Sequence, residues 1–214
     1  MGTVAICPFK WHTLASLLIA PVHTRIIYDN HMSESEFELR VALASEVPAM
    51  YEIEVEAFPE DEAASLLSMS MRCQEANTFF TVLTQMQQES ESATLLGYIN
   101  GTLCEGTELH HESMSEHVPS GTTLVLHSVT IAREYRRKGH ARKMLVSYMN
   151  RLVKDIALRG VKLVLLLAHE YLLEFYKSCG FTVMGVSPVV HGSDPWYELS
   201  FDLEEARRQW QLGT

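Results

Sequence analysis

Arg136-Arg137-Lys138-Gly139-His140-Ala141 joins two segments of different periodicity. Before it, Thr122 to Ile131 is an apolar, strand-like run. After it, apolar residues fall at Ala141, Met144, Leu145, Tyr148, Met149, Leu152, Val153 and Ile156, the i, i+3, i+4, i+7 spacing of one helix face. Arg142, Lys143, Asn150, Arg151 and Lys154 occupy the other face. A basic, glycine-containing turn between a strand and a helix N-terminus suits a phosphate. The first helical turn has unpaired N–H groups, the helix dipole is positive there, and Gly139 lets backbone approach a ligand closely. Many ordinary strand-to-helix turns also carry a Gly and some Arg, so spacing alone leaves both readings open. It is not a Walker loop, since no Gly-Lys-Ser/Thr follows, and it lacks the first two glycines of the dinucleotide fingerprint.

The 214 residues suffice for one domain with a substantial core. An apolar content of 47% and a charged content of 21% argue against bulk disorder. The formal net charge of −10 argues against nucleic-acid binding, which needs a basic face, and weakly favours cationic small molecules. Cys7, Cys73, Cys104 and Cys179 are far apart, so neither a zinc site nor a disulfide framework is suggested, and a reducing, cytoplasmic setting fits. His110, His111 and His117 crowd one segment, which reads as a solvated polar loop ahead of a metal site; no metal is expected. No apolar run reaches the ~18–20 residues of a membrane span, and no membrane partner is expected. Leu14 to Val22 behind Lys10 reads as a poor signal peptide or presequence, and residues 1–36 are expected as a poorly ordered extension.

The remaining chain alternates strands and helices. Phe37 to Leu43 reads as a strand, and Ser45 as the cap of a helix carrying Val47, Met50 and Ile53 to about Ala57. A second helix is expected from about Asp61 to Cys73, with acids in its first turn. Phe79 to Thr84 and Thr94 to Cys104 read as a strand pair joined by a polar connection. Val161 to Ala168 is apolar enough for a strand covered on both faces. Tyr171 to Ser178 is a short helix ending at Gly180, and Phe181 to Val186 and Trp196 to Leu203 supply the last strands. The class is α/β (α+β): one domain over residues 37–203, a central mixed twisted sheet flanked by helices, then a tail over 204–214.

Arg-x-x-Gly-x-Ala resembles the pyrophosphate turn of the GCN5-related N-acetyltransferases (GNAT superfamily), and the order of elements from Phe37 to Leu203 is similar to that fold. Four further segments resemble the arylalkylamine N-acetyltransferase family, in its fungal and insect-like branch. They are Glu52-Ile53-Glu54-Val55-Glu56-Ala57-Phe58 with the acidic Pro59 to Leu66 turn, Leu109 to Met114 with His117 and Pro119, Leu126-His127-Ser128-Val129, and Phe175-Tyr176-Lys177-Ser178-Cys179-Gly180-Phe181. The resemblance implies acetyl-CoA as co-substrate, a small primary amine as acceptor, and direct attack without a protein-bound acetyl group. Cys179 then reads as a small core residue rather than a nucleophile.

Acetyl transfer to an amine needs a proton removed from the ammonium and a proton given to the departing thiolate. Tyr176 matches the family tyrosine beside the CoA sulfur, and a phenol is protonated at neutral pH. His127 matches one of two family histidines and is a candidate base or relay. The other position is Val125 here, which weakens a two-histidine relay. Glu62 matches the acid of the insect-type turn and is the rival base; Glu54 is a weaker candidate for contact with a water chain. By the same resemblance, Val129, Thr130 and Ile131 would pair with pantetheine amides as an added strand does. Arg136, Arg137, Lys138, Gly139, His140, Ala141 and Arg142 would hold the pyrophosphate, with Tyr176, Lys177 and Ser178 nearby. Phe58 and Trp196 match positions lining the amine pocket, where aromatic walls suit an arylalkyl group. Two other functions remain open: acetylation of polyamines or protein amines, and a non-catalytic CoA-binding domain. A monomer is expected rather than an obligate oligomer.

Overall fold

A computed structural model describes residues 24–26, 37–86, 93–110, 112–189 and 194–212. Cys7, the Leu14 to Val22 run, His111 and most of the polar connection after Gln85 lie outside them. The strands are β1 (Thr24–Ile26), β2 (Phe37–Val41), β3 (Thr81–Met86), β4 (Ala93–Cys104), β5 (Thr123–Ile131), β6 (Leu163–Ala168), β7 (Thr182–Val186) and β8 (Tyr197–Asp202). Among the described residues they form one sheet in the order β1-β2-β3-β4-β5-β6-β8-β7. Every neighbouring pair is antiparallel except β5 and β6. The helices are α1 (Val47–Ala57), α2 (Leu66–Glu75), α3 (His140–Lys154), α4 (Leu173–Ser178) and α5 (Leu203–Leu212).

The period-2 alternation of the strands sorts side chains onto two faces. Leu83, Ile99, Leu103, Leu124, Leu126, Val164 and Leu166 join Met144, Leu145, Tyr148 and Leu152 of α3 in the main core. Val82 and Tyr98 point the other way, into a second core with Met50 and Ile53 of α1 and Met69 and Cys73 of α2. Val125, Cys104 and Leu165 lie beneath the 105–121 loop with Leu109 and Met114. Leu165 and its neighbours Val164 and Leu166 are all buried, so β6 is covered on both faces as its composition implied.

Several boundaries differ from expectation, each for a local reason. The strand expected over 37–43 is β2 and stops at Val41: Ala42 N–H makes one more rung to Phe80 O (2.9 Å), and the chain then turns. Glu46, not Ser45, closes the following turn: it accepts from Leu43 N–H (2.8 Å) and receives Arg40 in a forked pair (2.6 and 2.9 Å). The second helix begins at Leu66 rather than Asp61, since the Ser65 hydroxyl caps Ser68 N–H (3.1 Å). Residues 59–65 are a turn instead, with Glu62 and Ala63 N–H both donating to Pro59 O. Ile156, placed on the buried helix face by periodicity, is 72% exposed, because α3 ends at Lys154 and the Asp155 carboxylate caps Ala157 N–H (2.9 Å). Residues 204–212 of the expected tail are helix α5. Asp202 caps Glu205 N–H (2.8 Å). Arg207 donates to Val161 O (2.7 Å), Leu152 O (2.8 Å) and Leu158 O (3.0 Å), tying α5 to the end of α3. Within the 1–36 segment, Thr24–Ile26 pairs with β2 at the sheet edge.

Candidate active site

β5 and β6 run side by side only from Thr123↔Leu163 to Leu126↔Leu166. Beyond that point β6 stays with β8 and β5 stays with β4. The strands part, and a cleft of about 810 Å³ opens between Leu126–Ile131 on one wall and Leu167, Ala168 and His169 on the other. This is the carboxyl end of parallel neighbours, the usual ligand position in open α/β sheets. From 127 to 131 the outer edge of β5 has no strand partner among the described residues.

A bulge shapes the β5 wall. Ser128 faces Asn100 and Leu126 faces Gly101, so His127 is the extra residue in the ladder. The pinch needs glycine: a Cβ at Gly101 would lie 2.6 Å from Val125 O and 3.0 Å from Leu124 Cδ1. The bulge turns His127 into the cleft, where its Nε2 lies 2.8 Å from Thr102 Oγ1. Its Nδ1 is buried without a partner. His127 is half-buried, and burial followed by the charge of Arg72 pushes it well below the ordinary imidazole range. His127 is therefore neutral at pH 7 and a reluctant proton acceptor, whereas an unperturbed histidine would titrate near neutrality.

The turn after β5 is preformed. Arg137 takes φ 62° and Gly139 φ 80°, both left-handed, and α3 begins at once with His140. Alternation of this kind aims successive N–H groups into one concavity, a nest for anions. Arg136 Nε donates to Ile131 O (2.7 Å), while its Nη2 is buried with no partner. A buried guanidinium nitrogen left unpaired beside a helix N-terminus fits a phosphate oxygen. Arg142 reaches across to Ser178 O (3.2 Å).

Another part of the cleft is acidic and aromatic. Glu54 is only 2% exposed; it accepts from Ala64 N–H (3.1 Å), Ser128 Oγ (3.1 Å) and the Tyr98 hydroxyl. Burial and then the Glu54 charge push the Tyr98 phenol well up, so Tyr98 stays a donor. Arg72, 8% exposed, donates to Met114 O (3.2 Å). Burial lowers it to about 10 against the opposing charge of Glu54, and it remains a cation. The Glu62 side chain, 7% exposed, lies in the cleft because residues 59–65 are a turn. Its Oε2 is 3.0 Å from His169 Nε2. The His169 ring packs 3.9 Å from the Trp196 ring and 5.6 Å from Tyr171. Tyr176, 7% exposed, also lines the cleft, and burial raises its phenol well above the ordinary value, followed by Cys179 and Tyr171.

The cleft thus gathers Phe58, Glu62, His127, Val129, Thr130, Ile131, Arg136, Arg137, Gly139, Ala141, Arg142, Tyr176 and Trp196 of the residues singled out by sequence. Four others have side chains engaged elsewhere. Lys138 lies over the Tyr135 ring (5.5 Å), His140 lies against Phe37 (5.2 Å), Lys177 pairs with Glu174, and the Ser178 hydroxyl donates to Phe175 O (2.7 Å). Cys179 is buried in the main core, and burial raises its thiol. His117 accepts from Leu103 N–H (3.1 Å), a structural role in the loop. Sequence reasoning missed His169, Arg72, Tyr98 and Thr102. A histidine placed directly after an apolar strand, where strand ends meet ligands, was a usable signal for His169. The others had none, because Tyr98 and Ser128 meet Glu54 across 44 and 74 positions of chain.

The sequence model of the acetyltransferase (GNAT) family matches residues 47–181. Serotonin N-acetyltransferase of Mesocricetus auratus is 29% identical over 171 residues, covering 78% of this chain and 77% of that protein. Among solved structures, the loading GNATL domain of CurA from Lyngbya majuscula superposes with a TM-score of 0.66 at 14% identity, over 79% of this chain and 98% of that one. The yncA protein of Salmonella typhimurium, solved with its cofactor acetyl-CoA, does so with a TM-score of 0.55 at 17% identity, over 79% and 95%. At these identities the two structures establish the common fold.

Proposed function

This chain belongs to the acetyltransferase (GNAT) family, and from that premise we propose that it acetylates the primary amine of small arylalkylamines. It is an acetyl-CoA-dependent N-acetyltransferase. Acetyl-CoA supplies an activated acetyl group on a thiol leaving group, which the amine displaces directly.

The residues divide this work. The nest at Arg137 and Gly139, with Arg136 Nη2, holds the pyrophosphate. The outer edge of Val129, Thr130 and Ile131, which has no strand partner among the described residues, receives amide groups as an added strand would. The Tyr176 hydroxyl gives its proton to the departing sulfur. Of the two sequence candidates to draw the proton from the ammonium, burial and then Arg72 oppose a charge on His127, so the proton leaves on the side of the cleft that Glu62 occupies. Phe58 and Trp196 enclose the aryl group.

The observation that carries the substrate reading is the aromatic wall of Phe58 and Trp196 in the same cleft as the Glu62 carboxylate. A flat ring and a cation are both accommodated there. The likeness to a serotonin N-acetyltransferase supports it. With acetyl-CoA in excess, tryptamine, serotonin or phenethylamine should give a higher kcat/KM than spermidine or a histone-tail peptide. A reversed order assigns the enzyme to polyamine or protein acetylation and removes the arylalkylamine reading.

A further inference from the structure

We propose that His169 takes the proton from the substrate ammonium and that Glu62 acts on it as a positioning residue; this rests on the amine-acetylating function above. His169 sits immediately after β6, where β5 and β6 part, and lines the cleft with Tyr176 and Trp196. Its Nε2 is 3.0 Å from Glu62 Oε2, with side-chain exposures of 11% and 7%.

The pairing determines the chemistry of the ring. An ionised carboxylate only accepts hydrogen bonds, so the ring nitrogen facing Glu62 carries the hydrogen. Nε2–H then donates to Glu62, and the basic lone pair is on Nδ1. A carboxylate behind an imidazole fixes its tautomer and stabilises the imidazolium when it forms. Trp196 at 3.9 Å and Tyr171 at 5.6 Å pack aromatic faces against the same ring and hold its orientation. Among the described residues, the titratable groups that face His169 are Glu62 from the 59–65 turn and Tyr171 from the segment leading into α4.

The other groups near the amine are less suited. His127 donates to or accepts from Thr102, and protonating it would place a second cation near buried Arg72. Glu54 already accepts from three donors. In the proposed step R–NH3+ gives one proton to His169 Nδ1, leaving R–NH2 and an imidazolium held by Glu62. The amine lone pair forms the C–N bond as the C–S bond breaks. The sulfur takes the Tyr176 proton, the tyrosinate recovers the proton that the new amide nitrogen sheds, and His169 returns its proton to water. The sum is R–NH3+ plus thioester to amide, thiol and one proton.

Three measurements test this. In His169→Gln, kcat for phenethylamine should fall about 10²-fold or more, while calorimetric affinity for acetyl-CoA and the melting temperature hold. With β,β-difluorophenethylamine, whose amine is far less basic and is largely neutral at the assay pH, the deficit should shrink at least several-fold, because less proton removal is required. Ring ¹⁵N NMR of the resting wild-type enzyme should show His169 as the Nε2–H tautomer, and Glu62→Gln should disturb that assignment and lower kcat with acetyl-CoA affinity kept. A His169→Gln enzyme equally slow on both amines makes the residue a packing group, and full kcat or an Nδ1–H ring in the wild type also overturns the proposal. The NMR test stands even if His169→Gln fails to fold. Loss of wild-type turnover across every amine tested removes the underlying amine-acetylating reading instead, so the two failures are separable.

Discussion

Tyr176→Phe keeps the ring and removes one hydroxyl, so the edge-on packing against Phe175 and Phe181 should survive. Burial raises the phenol, which makes Tyr176 a firmly protonated but reluctant donor. A free thiol ionises near ~8.5, below even an ordinary phenol near ~10, so proton transfer to the thiolate runs uphill. General-acid assistance should therefore lie at the low end of its range, about 10²-fold. The loss should appear in kcat with the best amine and leave acetyl-CoA affinity unchanged. A folded variant with full kcat would make Tyr176 a core aromatic and nothing more.

Among the elements, β5 lines the cleft with Leu126–Ile131, and its bulge depends on a neighbour. Gly101 lets β4 approach closely enough for one extra residue, His127, to turn into the cleft. Gly101→Ala would put a Cβ 2.6 Å from Val125 O, an overlap that only backbone movement relieves. We expect a loss of about 2–4 kcal/mol in unfolding free energy, read by urea denaturation. Relaxation of the ladder would also shift Thr102 and His127, so turnover should fall below what the folded fraction explains. A variant of unchanged stability would mean that the β4–β5 spacing is softer than its contacts indicate.

At the scale of the whole molecule, several titrating groups link stability to pH in one direction. His127, His117 and His140 all lie below the ordinary imidazole range; burial leads in each, joined by Arg72 at His127 and by Lys143 and Lys138 at His140. Between pH ~6.5 and their lower folded values the unfolded chain binds more protons, so stability present above ~6.5 is lost on acidification. Glu46 acts in the same sense at lower pH. Burial raises it, but the Arg40 fork, the Leu43 N–H and the Arg40 charge outweigh that and depress it. Its contribution is complete above ~4.3 and lost as pH falls through the folded value. The formal charge of −10 declines over the same range and works against both trends by easing self-repulsion. The melting temperature should fall from pH 7 to 5, and a folded His127→Gln variant should show a shallower slope there. An identical slope would exclude His127 as a contributor.

What was legible in the sequence was local. The strand before Arg136, the turn, and the helix after it follow from a change of period from 2 to 3.6, and Gly139 marks a left-handed backbone that contact with neighbours does not impose. Burial of β6 on both faces was readable from its unbroken apolar run. Glu62 illustrates the boundary between local and tertiary information. An acid near a helix start is favoured by the dipole, but Ser65 is the better cap, and Glu54 holds Ala64 N–H from ten positions away. The intervening residues therefore turn, and the carboxylate enters the cleft. The partner it finds there, His169, lies 107 positions along the chain, a distance over which no periodicity carries information. The shift of His127 likewise depends on burial and then on Arg72, which belongs to another element and is brought near only by packing. Sequence alone determined the β5–turn–α3 unit and the buried strand β6, since these arise from neighbouring residues. Only the tertiary structure decided which titratable groups meet and which stay neutral, because burial and charge depend on everything folded around them.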